Sequence, residues 1–233
     1  MTKLAIITGA SAGIGKATAT WCIDHGFDVI NLARRDCPLP TVTNIAADLS
    51  VPLPAETIET LKAAVKSATT VAIVHSAGQH NGDDAMSIER EALERSLAIN
   101  VTAPATLNAA LLPTLPSGSS IVFVGSTLGD KAVPGALGYV ASKHAVNGLM
   151  RATCQDTAGR GIHTAVVSPG FTDTEMLRSH LGDNPDVLKA IVSGVTHGRL
   201  INVEEIAATI GFCIENPVIN GAVIHANLGQ IER

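Results

Sequence analysis

Short apolar runs rich in β-branched residues alternate along this chain with longer segments of helical periodicity. This alternation is typical of parallel strands joined by crossover helices. Such strands must be apolar on both sides, because helices cover both faces of the sheet. Hydrophobic residues make up 46% of the chain and charged residues only 16%, which meets that requirement. Since parallel crossovers are nearly always right-handed, we predict an α/β fold with a doubly wound parallel seven-stranded sheet.

Seven strands and five helices can be placed on this pattern. The strands are predicted at residues 4–8, 28–32, 44–46, 71–75, 120–125, 163–168 and 223–226. The helices are predicted near 13–25, 54–66, 86–114, 139–158 and 203–215. A chain of 233 residues has room for one such domain but not for a second of equal size, so we predict a single domain over 1–233.

One long interval, about 171–202, contains no predicted strand. Its spacing of Met, Leu, Val and Ile residues predicts short amphipathic helices. Loops of this length in compact domains usually serve function, so we interpret the interval as a helical substrate lid. Padding of the core at the edge of the sheet is the alternative interpretation.

Charge, hydropathy and cysteine spacing restrict the partners. The formal net charge of -5, with scattered Lys and Arg residues, gives no basic field for nucleic acid. No stretch reaches membrane-spanning length and the apolar run at 4–7 is too short for a secretion signal, so we expect a cytoplasmic protein that binds no membrane. The four cysteines are far apart, and no His or Cys cluster has ligand spacing. We therefore expect reduced thiols and no metal site.

A glycine-rich loop directly follows the first predicted strand and precedes a predicted helix. It reads Thr8-Gly9-Ala10-Ser11-Ala12-Gly13-Ile14-Gly15. Glycines there let the backbone turn sharply and let a pyrophosphate approach the main chain. The helix N-terminus offers free N–H groups and a partial positive charge to phosphates. The loop departs from the G-x-G-x-x-G spacing, but its position at the first strand-to-helix turn indicates a Rossmann-like dinucleotide-binding domain.

The end of the second predicted strand bears on which dinucleotide is bound. An acidic residue at this place holds the ribose hydroxyls of NAD, whereas an arginine can accept the 2′-phosphate of NADP. The sequence has Ala33 and Arg34 there, so we favour NADP(H) over NAD(H). Two alternatives stay open: the arginines are merely solvated, or Asp36 reaches a ribose.

Tyr139 and Lys143 lie four residues apart at the start of a predicted helix, so both side chains are expected on one face. A free tyrosine titrates near pH 10, about three units too high for proton exchange at neutrality. A lysine cation about 6 Å away, at an effective dielectric of about 20, would lower the pKa of the phenol by about two units. Tyr139 is also the only tyrosine in the chain. We predict that it is the general acid/base.

Ser126 follows the fifth predicted strand at its carboxyl end. Ligands bind at that end of an open parallel sheet. A hydroxyl there can hydrogen-bond a substrate oxygen as charge develops on it. Ser126 therefore joins Tyr139 and Lys143 as a candidate catalytic residue.

Over nearly its full length the chain resembles the short-chain dehydrogenase/reductase family, in its short single-domain branch. The resemblance rests on the loop 8–15, Ala77-Gly78, Asn100, Ser126, the pair Tyr139 and Lys143, and Pro169-Gly170. It implies hydride transfer between NADP(H) and a carbonyl or alcohol, with Tyr139 as general acid/base and Ser126 orienting the substrate. It further implies that Lys143 binds the nicotinamide ribose, and that Asn100 holds a water in a proton relay behind Lys143.

The resemblance also implies a set of cofactor contacts. Asp48 and Leu49 are expected beside the adenine, Thr172 at the carboxamide through its backbone, and Thr174 near the diphosphate. The cofactor-binding set is predicted as Gly9, Ser11, Gly13, Ile14, Gly15, Arg34, Asp48, Leu49, Ala77, Gly78, Tyr139, Lys143, Pro169, Gly170, Thr172 and Thr174. Two departures from the family pattern are His75-Ser76 in place of the usual Asn-Asn, and Ala12, where many NADP-preferring members carry a second basic residue.

The same motifs bear on two rival functions. A catalytically silent Rossmann protein that senses the NADP(H) ratio needs the glycine loop but not a complete Ser/Tyr/Lys/Asn set. A sugar epimerase or dehydratase would need a substrate domain for which this chain has no room. The family likeness implies that helices near 99–114 and 139–158 pair across subunits as a homodimer or homotetramer, although their apolar faces could be buried within one chain. The substrate is undetermined beyond a small-molecule carbonyl or alcohol.

Overall fold

Seven parallel strands form one sheet in a computed structural model that describes residues 2–182 and 185–230. In chain order the strands are β1 (Lys3–Thr8), β2 (Phe27–Ala33), β3 (Val42–Ala46), β4 (Thr70–His75), β5 (Ser120–Val124), β6 (His163–Pro169) and β7 (Ala222–Ala226). Across the sheet their order is β3-β2-β1-β4-β5-β6-β7. The predicted doubly wound sheet in a single Rossmann-like domain is confirmed.

Helices cover both faces of this sheet. In chain order they are α1 (Gly13–Asp24), α2 (Ala55–Ser67), α3 (Arg90–Leu97), α4 (Ala103–Leu111), α5 (Leu137–Asp156), α6 (Glu175–Leu181), α7 (Pro185–Ser193) and α8 (Val203–Glu215). Except for the helix predicted near 86–114, every predicted element begins and ends within two residues of an observed one. Across the residues described, no helix combines the length and the apolarity that a membrane crossing requires.

The sheet separates two apolar cores. On β1, Ile7 faces the core covered by α1 and α8, while Ile6 faces the core covered by α2, α4 and α5. Each isoleucine is fully buried, which stabilises the fold by about 1.5–3 kcal/mol per side chain. Helices α1 and α8 pack closely: a Cβ atom at Gly211 would lie 2.2 Å from ring atoms of Trp21. This two-sided burial explains why the central strands are apolar throughout.

The helix predicted to begin near 86 begins at Arg90 instead. The carboxylate of Asp84 accepts hydrogen bonds from the N–H groups of Met86 and Ser87. This side-chain cap forms a local turn that competes with helix. The prediction was wrong here because hydrogen bonds from the main chain to the Asp84 side chain favour a turn over a helix.

The same predicted helix is interrupted by a π-helical turn at Ala98–Thr102, between α3 and α4. The N–H of Ala103 bonds to the carbonyl of Ala98, five residues back. Pro104 has no N–H to donate to the carbonyl of Asn100, so one α-helical bond cannot form and the wider turn is favoured. A single regular helix over 86–114 is therefore corrected to α3, a π turn and α4.

The strand order reverses between β1 and β4. β1 pairs with β2 on one side and with β4 on the other, and Thr8 stands level with Leu32 and His75. The connections that follow β1 and β4 lead to opposite faces of the sheet, which leaves a crevice at the carboxyl ends of the strands. The interval 171–202 carries α6 and α7, and residues 183 and 184 of that predicted lid lie outside the described residues.

Candidate active site

The glycine loop is closed by contacts that exclude side chains. Gly9 has φ +78, and a Cβ atom there would lie 2.8 Å from the Cα atom of Ala77. The hydroxyl of Thr8 accepts hydrogen bonds from the N–H groups of Ser76 and Ala77, both at 3.1 Å. A Cβ atom at Gly15 would lie 2.2 Å from the carbonyl oxygen of Gly9. The loops after β1 and β4 are thus held together over the start of α1.

One buried amide connects this loop to the end of β2. Asn31 is 1% exposed, and its Oδ1 accepts a hydrogen bond from the N–H of Ala10 at 3.0 Å. Its Nδ2 donates to the carbonyl of Arg35 at 3.1 Å and to Oδ1 of Asn44 at 2.9 Å. Nothing in the sequence predicts this role of Asn31, because a polar residue in a buried strand gives no signal of its partners.

A cleft of about 1270 Å³ runs along the carboxyl ends of the strands. The structure brings together in it Ser126 and the whole predicted cofactor-binding set: Gly9, Ser11, Gly13, Ile14, Gly15, Arg34, Asp48, Leu49, Ala77, Gly78, Tyr139, Lys143, Pro169, Gly170, Thr172 and Thr174. Asn100 is the one predicted site residue that lies behind the cleft rather than on its wall. Asp36 is also absent from the described lining, whereas Arg34 and Arg35 belong to it.

Charged groups gather at the end of the cleft beside β2 and β3. Hydrogen bonds from the N–H and hydroxyl of Ser50, followed by the charges of Arg95 and Arg34, hold the pKa of Asp48 below its usual value. The guanidinium of Arg35 lies 3.4 Å from the carboxylate of Glu175 at the start of α6. Both of these side chains are largely exposed, so the ion pair is screened by solvent. The sequence does not predict Arg95 at this site, because it lies on α3, far along the chain from the glycine loop.

Ser126 and Tyr139 meet at the other end of the cleft. Burial of the phenol raises the pKa of Tyr139 to about 12, and a side-chain hydrogen bond with Ser126 offsets part of that rise. The hydroxyl of Ser126 also accepts the N–H of Leu128 at 3.1 Å, which fixes its orientation. The predicted fall of about two units in the pKa of the phenol was wrong, because the spacing argument left out the cost of removing the phenolate from water.

Lys143 lies one helical turn beyond Tyr139 and is 5% exposed. Its Nζ atom donates a hydrogen bond of 2.7 Å to the carbonyl of Val124 and lies 5.4 Å from the centroid of the Tyr139 ring. Burial lowers the pKa of the ammonium group to about 8. The two side chains share one face of α5, as their spacing predicts.

Asn100 is buried in the π-helical turn, and its side chain is committed to fixed partners. Its Nδ2 donates to the carbonyl of Gln79 at 2.9 Å and to the hydroxyl of Ser142 at 2.8 Å. Its Oδ1 accepts the N–H of Gln79 at 2.8 Å. The hydroxyl of Ser142 in turn donates to the carbonyl of Tyr139 at 2.8 Å. Asn100 thus links the loop after β4 to helix α5, which carries Tyr139 and Lys143.

Polar residues that follow Gly78 also line the cleft. The ring of His80 lies 4.5 Å from the ring of Tyr139, measured between centroids. The amide Nε2 of Gln79 donates to Oδ1 of Asn81 at 2.8 Å, and all three side chains are part of the wall. The sequence gives no sign of this ring contact, because a histidine in a loop does not reveal its neighbours. Within the described residues, no group of three or more His, Cys, Asp or Glu could hold a metal ion.

The fold and the cleft define a Rossmann-like α/β protein with a Ser, a Tyr and a Lys assembled beside a glycine loop. The family model for short chain dehydrogenase matches residues 3–184. The chain therefore belongs to the short-chain dehydrogenase/reductase family of oxidoreductases.

Individual relatives span almost the whole chain. The 3-oxoacyl-[acyl-carrier-protein] reductase FabG of Vibrio cholerae is 29% identical over 239 residues, which covers 98% of this chain and 97% of that protein. A short chain dehydrogenase family protein from Francisella tularensis superposes with a TM-score of 0.87 at 24% identity, with 98% of each chain covered. The crystal structure of BdcA in complex with NADPH superposes with a TM-score of 0.83 at 26% identity, with 99% of this chain and 96% of that chain covered.

Proposed function

We propose that this protein is an NADP(H)-dependent oxidoreductase that interconverts a carbonyl and an alcohol, with Tyr139 as the general acid/base. One observation carries the proposal: Ser126, Tyr139 and Lys143 stand on the wall of the same cleft as the glycine loop. A regulatory protein that only binds a nucleotide has no use for this set beside it. The assignment as a carbonyl reductase is also consistent with the reductase names of the relatives.

The residues present fit a dinucleotide. The positions of Gly9 and Gly15 leave no space for a Cβ atom, so main chain rather than side chains borders the cleft there. The N-terminus of α1 has no side-chain cap and no acidic residue in its first turn. Its N–H groups and partial positive charge can therefore hold a diphosphate.

From the glycine loop, the adenine half of the cofactor would extend to one side and the nicotinamide half to the other. Asp48 and Leu49 would hold the adenine, and Lys143, with Tyr139, the ribose next to the nicotinamide. Thr172 would hold the carboxamide through its backbone, and Thr174 would lie near the diphosphate. When bound, the nicotinamide supplies or accepts the hydride.

The preference for NADP(H) over NAD(H) rests on the end of β2. Ala33, Arg34 and Arg35 all line the cleft, and Ala33 has no carboxylate with which to hold the ribose hydroxyls, as an acidic residue at this place does in NAD-dependent proteins. An arginine there can bind a 2′-phosphate. BdcA, which has the same fold, was solved with NADPH. A phosphate would have to draw Arg35 from Glu175, since the two are already paired.

In the direction of reduction, this chain's residues handle the proton and the developing charge. The high pKa of Tyr139 keeps the phenol protonated at neutral pH, so it can donate a proton to the carbonyl oxygen. Ser126 would hydrogen-bond the same oxygen and hold it against the phenol. The ammonium group of Lys143 would then stabilise the phenolate that remains.

Asn100 would complete the path of the proton to solvent. Its side chain is already bonded to Gln79 and Ser142, so its main-chain carbonyl is the atom that would hold a relay water. Pro104 cannot donate to that carbonyl. A water there would return a proton to Tyr139 by way of Lys143.

We also propose that the segment 171–202 acts as a lid over the substrate. Met176, Leu177 and Ser179 of α6 line the cleft, and the N-cap residue Thr174 lies beside Gly13 of the glycine loop. His80, whose ring packs against that of Tyr139, and Asn81 add polar groups to the lining. The substrate is therefore expected to carry an apolar part under α6 and a polar group near its carbonyl.

A homodimer or homotetramer is the expected assembly. The large apolar residues Leu107, Leu111, Val146 and Met150 of α4 and α5 are buried in the chain's own core. Their hydrophobicity is thus explained without a partner, and the expectation of an oligomer rests on family membership alone.

One assay tests the proposal. Purified protein is mixed with NADPH, and separately with NADH, and with a panel of aldehydes, ketones and 3-oxoacyl thioesters, while the absorbance of the reduced nicotinamide is followed. We expect consumption of NADPH that depends on the carbonyl compound and is slower with NADH. Tight NADPH binding without turnover of any carbonyl would favour the regulatory protein instead.

A further inference from the structure

The N-terminus of α5 has no cap of its own. The N-cap residue Ala136 makes no side-chain hydrogen bond, and the first turn contains no acidic residue. The first N–H groups of a helix need acceptors from elsewhere. Tyr139 is the third residue of α5, so the position of its phenol depends on how firmly this first turn is held.

Asp83 supplies these acceptors from a separate loop. Its Oδ1 accepts the N–H of Gly138 at 2.9 Å, across 55 positions of sequence. Its carbonyl accepts the N–H of Leu137 at 3.2 Å, and its own N–H donates to the carbonyl of Gly135 at 3.3 Å. The residue is 8% exposed, and a carboxylate is favoured electrostatically at a helix N-terminus.

The contact is too close for a side chain on the helix. A Cβ atom at Gly138 would lie 2.9 Å from Oδ2 of Asp83. Oδ2 itself is buried, and no atom in the described residues hydrogen-bonds to it. A buried carboxylate oxygen without a partner costs free energy, which offsets part of the stability that the cap through Oδ1 contributes.

Neighbouring groups are held independently of Asp83. Lys143, one turn further along α5, is anchored by its bond to the carbonyl of Val124. Ser126 is oriented by the N–H of Leu128. If the first turn of α5 moved, Tyr139 would shift relative to Ser126 while Lys143 and the glycine loop stayed in place.

We propose that Asp83 is a positioning residue for Tyr139: its carboxylate caps α5 from outside the helix and holds the phenol against Ser126. The expected effect of Asp83 on kcat rests on the proposed function, whereas its effect on the position of the Tyr139 phenol does not. It assigns to Asp83 no contact with substrate or cofactor, consistent with its absence from the lining of the cleft.

The first test uses the fact that Tyr139 is the only tyrosine of the chain. Its phenolate can be titrated by ultraviolet absorbance in the protein without added ligand, with circular dichroism as the check on folding. In wild type, burial raises the pKa of Tyr139 to about 12. In Asp83→Ala we expect ionisation at lower pH, because a loosened first turn gives the phenol access to water. Asp83→Asn keeps an oxygen for the N–H of Gly138 and should move the titration back toward that of wild type.

The second test is kinetic. With NADPH and a carbonyl that the wild type reduces, Asp83→Ala should lower kcat at least about tenfold, since small misplacements of reacting groups are this costly. The Kd for NADPH should stay within about twofold, and Asp83→Asn should recover part of kcat. Asp84→Asn is the matched control, because Asp84 caps only its own turn and should behave as wild type in both tests.

If Asp83→Ala does not fold, Gly138→Ala replaces it as the variant that disrupts the cap. The added methyl group would push on Oδ2 and displace the cap with the carboxylate still present. Wild-type titration and wild-type kcat in the folded variants would overturn the proposal. If no carbonyl is reduced by wild type but the titration shifts in Asp83→Ala, the proposed function fails and the positioning role stands.

Discussion

The Nζ atom of Lys143 lies 5.4 Å from the centroid of the Tyr139 ring. Burial disfavours the charged form of each group, so it raises the pKa of Tyr139 to about 12 and lowers the pKa of Lys143 to about 8. At pH 7, about one unit below that value, the lysine is still mostly charged, while the phenol keeps its proton. In the proposed mechanism, these protonation states let Tyr139 donate a proton and let Lys143 then stabilise the phenolate.

Tyr139→Phe should lower kcat for carbonyl reduction by about 10²–10⁴, because it removes the proton donor and leaves the ring. The Kd for NADPH should change by no more than about threefold, since the glycine loop is intact. The decline of NADPH absorbance measures the first quantity and NADPH fluorescence on titration the second. Wild-type turnover in this variant would remove Tyr139 from the mechanism.

The rate of reduction should fall as pH rises through about 8, where Lys143 loses its charge. The sign follows from the lowered pKa of the ammonium group: the charge is present below that pH and absent above it, and only the charged form stabilises the phenolate. kcat measured at saturating NADPH from acid to alkaline pH tests this. Lys143→Met should have a low kcat that does not fall further as pH rises through about 8. Lys66→Met changes an exposed residue on α2 and should keep the wild-type dependence of kcat on pH.

Arg34→Ala should raise the KM for NADPH about 10- to 100-fold and leave the KM for NADH nearly unchanged, since a charged hydrogen bond to phosphate is lost in one case only. Arg90→Ala is the matched control, because Arg90 pairs with Glu94 on an exposed face and does not line the cleft. Equal effects on both cofactors would mean that Arg34 does not read the 2′-phosphate.

Light scattering at micromolar concentration should give a mass of two or four chains. The expectation comes from family membership, because Leu107 and Met150 of α4 and α5 are already buried within one chain. A mass of one chain would contradict the expected oligomer.

Most of the fold and part of the site could be predicted from local sequence patterns. Strand and helix order follow from apolar periodicity, and the shared face of Tyr139 and Lys143 follows from their spacing on one helix. The missed features depend on tertiary contacts. Asp83 reaches α5 from 55 residues away, and the burial that sets the pKa of Tyr139 depends on the packing of several elements. Neither the contact of Asp83 with α5 nor the burial of Tyr139 can be predicted from local sequence patterns.

Gly15→Ala should abolish NADPH binding and destabilise the protein by about 1–3 kcal/mol, the usual range for an added methyl group in a packed site. A Cβ atom there would lie 2.2 Å from the carbonyl oxygen of Gly9, so either the loop or the start of α1 must move. Gly82→Ala is the matched control, because a Cβ atom at Gly82 meets no atom within 4 Å and its backbone is not in the left-handed region. Urea unfolding and NADPH fluorescence on both variants separate the two effects. Normal NADPH binding by a folded Gly15→Ala variant would mean that the close approach of α1 to the loop after β1 is not what forms the diphosphate site.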